Sequence, residues 1–198
     1  MEFPAHHHDL VVVTGDEPNL RWKTYSRLVT SLLAEADVEM VITLGAFIGQ
    51  VAHTQPVPII GVATHPDLLA AHDLPASTYE GPTGIVGVML EACREVGIPA
   101  ISLWAATPHY LAANPNPKAM LALLDRAAAI ARLDIETDEL VEAAAEFESR
   151  VDAALDSNED FAGYVRQLED EGILEPVEPD LTGGTLVSEI EDFLRHRD

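Results

Sequence analysis

The chain has 198 residues, 47% of them hydrophobic, which is enough to fold around a sizeable core and excludes the disordered class. Its 34 acidic and 11 basic residues leave a formal net charge of -23, and a surface this acidic repels nucleic acid and anionic membranes. No apolar run approaches the ~20 residues of a membrane span. Cys93, the single cysteine, allows neither an intrachain disulfide nor a thiolate metal cluster.

The opening "MEFPAHHHDL" lacks a basic head and an apolar stretch, so it does not read as a secretory signal, and a cytoplasmic location is expected. Its neighbours His6, His7 and His8 cannot all face one metal from a regular element. "DLVVVTG" reads as a buried strand ending at Gly15. Between Leu20 and Ala36, Trp22, Tyr25, Leu28, Val29 and Leu32 recur at the spacing of one helical face, with Asn19 as N-cap. "EMVITLGAF" and "VPIIGVAT" are the next strands. A glycine-rich turn then opens a helix capped by Gly97, "PAISLWAA" is a further strand, and Pro117 suits the first turn of the helix after "NPNPKAM". Apolar runs without alternation are what parallel strands covered on both faces look like. The predicted fold for residues 1–132 is an α/β three-layer sandwich with a mostly parallel sheet.

Beyond residue 132 the composition changes. Residues 1–132 hold 13 acidic and 7 basic side chains, net -6, whereas residues 133–198 hold 21 and 4, net -17. Strands are expected to stop here. Thr137 is a plausible cap for a helix in which Leu140, Ala144, Phe147, Val151 and Ala154 step by 4, 3, 4 and 3, a seam that must meet another surface. That surface is either its own domain or a neighbouring subunit. A second helix carries Phe161, Tyr164, Val165 and Leu168 and ends at Gly172, and an extended acidic link, "ILEPVEPDLTGG", leads to a last helix with Leu186, Ile190, Phe193 and Leu194. Residues 133–198 thus read as an acidic helical hairpin and terminal helix appended to the core.

Catalytic signatures are missing. Gly81, Gly84 and Gly87 are spaced G-x-x-G-x-x-G, neither the dinucleotide fingerprint nor the P-loop, and no Lys follows. Free amides and the Thr83 hydroxyl at the start of a helix still leave two readings, a tight connection or a small-anion site. The candidate ligand-binding residues are Tyr79, Gly81, Thr83, Gly84 and His109, the last in "TPHYLAANPNP" after a strand. His53, His65, His72 and His109 have no metal-ligand spacing, Cys93 falls on a core face with Val96, and no G-x-S-x-G elbow is present. No catalytic residue, metal or cofactor is assigned.

The blocks "GDEPNLRW", "TLGAFIGQVAHTQPVPIIGVAT", "YEGPTGIVGV", "GIPAISLWAATPHYLAANPNPKAMLALL" and "DELVEAAAEFESRV" resemble, in order and over nearly the whole chain, the prokaryotic branch of the proteasome assembly chaperone 2 family. The resemblance implies a core related to nucleoside phosphorylases, an added helical segment and self-association, with a trimer as one form. It also implies proteasome-related partners, since eukaryotic relatives are chaperones for proteasome assembly and archaeal relatives bind proteasome subunits. Two departures stand out. The chain is expected to start inside the family's longer N-terminal region, so that either the N-terminus is shortened or the sheet has lost elements and an exposed edge is to be covered, and its last residues, "FLRHRD", do not carry the hydrophobic–Tyr–any-residue motif of archaeal members. The function expected is that of a non-catalytic, self-associating interaction protein. The alternative is a protein that binds or turns over a nucleoside- or phosphate-like small molecule at the Gly81 and Gly84 turn.

Overall fold

The most deeply buried stretch is "AISLWAATP", in which almost every side chain is apolar or small, and it is one of the two inner strands of the sheet. The computed structural model describes residues 9–80, 83–111, 115–155, 159–171 and 173–176. Strand β1 (Val41–Gln50) and β3 (Ala100–Pro108) pair in parallel from Val41 opposite Ala100 to Gly49 opposite Pro108. Strand β2 (Ile59–Ala63) lies antiparallel on the far side of β3, and a short β4 (Ile173–Pro176) lies antiparallel to the end of β1. The order is β2-β3-β1-β4, a mixed sheet.

The mostly parallel sheet is therefore corrected. Only residues 51–58 join β1 to β2, too few for the crossover of a dozen or more that parallel strands require, so the chain turns back and β2 runs opposite to its neighbours. Strands also do not stop at residue 132, because the expected link contributes β4. That strand meets β1 only at Gly49 and Gln50, so Val41 to Ile48 have no strand on their outer side among the described residues. "DLVVVT" is not that strand. It joins no sheet among the described residues, and Val11, Val12 and Val13 are 60%, 72% and 62% exposed. β-branched composition expresses a preference for extended backbone, whereas burial needs a paired and covered place in a sheet.

Helix α1 (Trp22–Glu35) starts after Arg21, which is left-handed at φ 58°, and not at Asn19. Its inner stripe is Ser26 and Thr30, flanked by half-buried Trp22, Val29 and Leu33, while Leu28 and Leu32 point outward. The reason is packing. Helix α1 lies against α3 (Ile85–Val96), and the small Ser26 and Thr30 let the two axes approach. "PDLLAA" forms the short α2 (Pro66–Ala71). Gly97 ends α3 in the left-handed region at φ 76°, as expected. Cys93 is wholly buried with Leu90, Ile98, Ala100, Leu33 and Val41, and burial raises its thiol pKa, whereas Val96 faces outward. Arg94 donates to the carbonyls of Ala63 and Thr64 and so ties α3 to the end of β2.

Asn116 caps α4 (Pro117–Ala131), its side-chain oxygen accepting from the Ala119 amide at 3.0 Å, with Pro117 in the first turn. Ala119, Leu123 and Ile130 of α4 cluster with Ile101, Leu103 and Ala105, which alternate along β3 with Ala100 of the Cys93 cluster. The seam on α5 (Asp138–Leu155) meets its own domain. Phe147, Val151 and Leu155, with Val165 and Leu168 of α6 (Glu159–Glu171), enclose Ala52, Tyr110 and Leu111 at the end of the sheet. The histidines at positions 6, 7 and 8 and the terminal helix expected around Leu186 lie outside the described residues. Among the described residues no helix is long and apolar enough to cross a membrane.

A Cβ added at Gly45 would stand 2.7 Å from the Trp104 ring, whereas one at Gly15 would meet nothing within 4 Å. Gly45→Ala is expected to cost ~1–3 kcal/mol in urea unfolding and to alter tryptophan fluorescence. Gly15→Ala is expected to leave both unchanged.

Candidate functional site

The glycine turn comes first. Gly81 lies outside the described residues, and Gly84 is the N-cap of α3 with extended backbone that any residue adopts (φ -92°, ψ -172°). Thr83 leans over Gly87, where a Cβ would come within 1.9 Å of its hydroxyl, so Gly87 serves close approach. The Ile85 amide donates to Glu17 Oε1 at 3.2 Å. A carboxylate from "GDEPNLRW" thus stands at the positive end of the helix, where an anionic ligand would otherwise go. The exposed Tyr79 donates its amide to Ser77 Oγ at 3.2 Å.

His109 belongs to a second and denser cluster, at the joint between the sheet and the helical pair. The loop after β1 carries His53, which is almost fully buried. Its Nδ1 lies 2.8 Å from the Tyr110 phenol, and its Nε2 lies 3.0 Å from Asp152 Oδ1 on α5. The His53 amide also donates to the Tyr110 oxygen, at 2.9 Å. One proton arrangement satisfies all three contacts: Nε2–H toward Asp152, and the phenol O–H toward Nδ1. Lys118 of α4 donates to the His53 carbonyl and to Glu148 Oε1 of α5 at 3.0 Å, and Thr54 donates to Glu169 of α6. One loop is therefore bonded to α4, α5, α6 and the 3-10 turn His109–Leu111 that holds Tyr110. His109 stacks edge-on between Tyr110 and Tyr164, with its Nε2 3.3 Å from the Tyr164 hydroxyl.

Electrostatics define what this cluster does. Burial drives the Tyr110 phenol far above its usual pKa, so the oxygen keeps its proton. Burial lowers the His109 pKa, and the Gly49 backbone opposes part of that shift. An Asp–His–Tyr series moves protons in catalysis when its last member reaches a substrate, but Tyr110 has no exposed surface. The cavity beside it, lined by Val51, His53, Gln55, Lys118 and Phe147, measures about 10 Å³, room for one water and not for a nucleoside. The arrangement is a clasp.

Residues 2–155 match the model of the PAC2 family. The chain belongs to the PAC2 family. It is 46% identical to the PAC2 family protein of Streptomyces avermitilis, whose crystal structure it matches at a TM-score of 0.70 over 76% of this chain and 63% of that one. It is 36% identical to the Mycobacterium tuberculosis proteasome-assembly chaperone homologue Rv2125, at a TM-score of 0.76 over 83% of this chain and 70% of that one. Pyrococcus furiosus PbaA, an archaeal homologue of proteasome-assembly chaperone, shares the fold alone, at 17% identity and a TM-score of 0.53 over 70% of this chain and 62% of that one. The chain thus spans 63% of the length of the Streptomyces relative. No curated protein matches it.

In this PAC2 chain His53 and Asp152 are 99 positions apart and Glu17 and Ile85 are 68 apart, so no local spacing announces either pairing. The one signal was chemical: a histidine in the apolar "VAHT" and a tyrosine in "PHYLAA" must each find a partner if buried. Tyr110→Phe strands the His53 amide and Nδ1, and is expected to cost ~1–3 kcal/mol in urea unfolding. The lowered His109 pKa fixes a pH dependence. Above the ordinary value of 6.5 neither state is protonated, whereas below it the unfolded chain binds a proton that the folded chain refuses, so stability falls as pH falls. His109→Phe is expected to flatten the decline of Tm between about pH 7 and 5.

Proposed function

We propose that the chain is a non-catalytic, self-associating protein of the proteasome assembly chaperone type, acting through contacts with other polypeptides. The observation that carries this reading is its membership of the PAC2 family, together with 36% identity to the M. tuberculosis proteasome-assembly chaperone homologue over 83% of the chain. The way the polar groups are used supports it. The Glu17 carboxylate is spent on α3, and His53, Tyr110, Lys118 and Asp152 are spent on the clasp, while Leu28, Leu32, Leu44 and Val62 face outward. Exposed apolar side chains of this kind suit a surface for polypeptides. In this reading residues 1–132 form a three-layer, phosphorylase-like core, supported by helices that cluster with alternate residues of β3, and residues 133–198 form its appended arm.

Light scattering on the purified chain is expected to return a multiple of the monomer mass, and co-elution with proteasome subunits is expected on mixing. A monomer that co-elutes with none of these subunits contradicts the reading. A thermal-shift series with nucleosides and inorganic phosphate separates it from small-molecule binding. A ligand at 100 times its Kd adds ~2.7 kcal/mol to stability, so a genuine site is visible, and no shift is expected.

A further inference from the structure

Helix α1 presents a stripe that nothing among the described residues covers. Leu28 and Leu32, one turn apart, are 61% and 57% exposed. Arg21, Lys23 and Arg27 are exposed beside them, three of the chain's eleven basic residues within seven positions of a molecule with net charge -23. Three of the other four core cations are engaged: Arg94 with Glu91, Lys118 with Glu148, and Arg126 with the His72 carbonyl. Among the described residues no ion pair holds the three at α1.

An apolar stripe bordered by uncompensated cations is complementary to an apolar stripe bordered by carboxylates. Residues 186–194 carry that pattern. Leu186, Ile190, Phe193 and Leu194 recur at helical spacing, with Glu189, Glu191 and Asp192 between them. The topology aims the chain at α1. Because β4 is antiparallel to β1, the backbone at Pro176, beside Gly49, points along the open edge of β1 toward Val41, which packs against the same buried cluster as Leu33 of α1. From Gly49 to Val41 is ~26 Å at strand rise. Residues 177–185 reach ~30 Å when extended, and nine helical residues then run ~14 Å, the span from Leu32 past Leu28 to Lys23.

We propose that residues 186–194 dock on α1 of their own chain, with their apolar side chains on Leu28 and Leu32 and their carboxylates toward Arg27 and Lys23. The contact lies within one chain, so it holds whether or not the protein self-associates.

The test uses the full chain with Leu28→Cys and Ile190→Cys, the buried Cys93 left in place, oxidised as an equimolar mixture of light and nitrogen-15-labelled protein. Disulfide yield is expected to exceed that of a Val141→Cys, Ile190→Cys control by about tenfold, because the tether holds the docked pair at high effective concentration. The linked peptides are expected to be of single isotope, and ~1 M salt is expected to lower the yield. Linked peptides of mixed isotope place a second copy on α1 and overturn the proposal, as does a yield equal to the control. Hydrogen exchange keeps the proposal testable if the double variant does not fold. Phe193→Asp is expected to speed amide exchange in the second half of α1, and unchanged exchange there overturns the proposal.

Discussion

The structure depends on the way a single phenol is buried. Tyr110 sits at the end of β3, and its oxygen is the meeting point of the His53 amide and the His53 ring, whose far nitrogen reaches Asp152 on α5. A buried hydroxyl without partners costs free energy comparable to a lost hydrogen bond or more. Here both partners belong to His53, 57 positions away, and the far nitrogen of the same ring reaches Asp152, so satisfying the phenol and then the ring ties α5 to the end of the sheet. Phe147, Val151, Val165 and Leu168 supply the apolar burial around it. The polar bonds select the arrangement, and the apolar area stabilises it.

That constraint bears on the tail's seam. Its spacing demanded a partner surface without saying whose, and the clasp directs it inward. The same logic governs the start of α3. A helix N-terminus behind a glycine-rich turn attracts negative charge, and Glu17 brings that charge from the same chain. At both places groups that chemistry on a small molecule would need are committed to holding the chain together, and what remains outward is apolar or charged surface. This division is what the fold contributes to the proposed role in protein contacts.

Much of the fold was legible because it rests on local physics. Pro117 starts a helix, Gly97 ends one, and the 4-3-4-3 seam on α5 names four of its five buried residues. What was not legible depends on context. "DLVVVT" has the composition of a buried strand and lies exposed, because pairing is a property of two segments. Helix α1 offers two apolar stripes, and the choice between them follows from how closely Ser26 and Thr30 let α3 approach. The direction of β2 follows from the shortness of its connection, which composition does not express. Of the site, Tyr79, Thr83, Gly84 and His109 were singled out by their positions next to strands and helix starts. Those positions divide between two places, and the partners that give each its meaning, Glu17, His53 and Asp152, come from distant parts of the chain.

The central claim is that the helical pair is locked to the sheet as one cooperative unit by the bonds around Tyr110. Native-state hydrogen exchange in low denaturant measures this directly, because it reports an opening free energy for each amide. The amides of His53, of Phe147 and Val151 in α5, and of Ile101 and Leu103 in β3 are expected to share one opening free energy, equal to that of global unfolding. An α5 and α6 that open at markedly lower free energy while β3 stays protected would contradict the account.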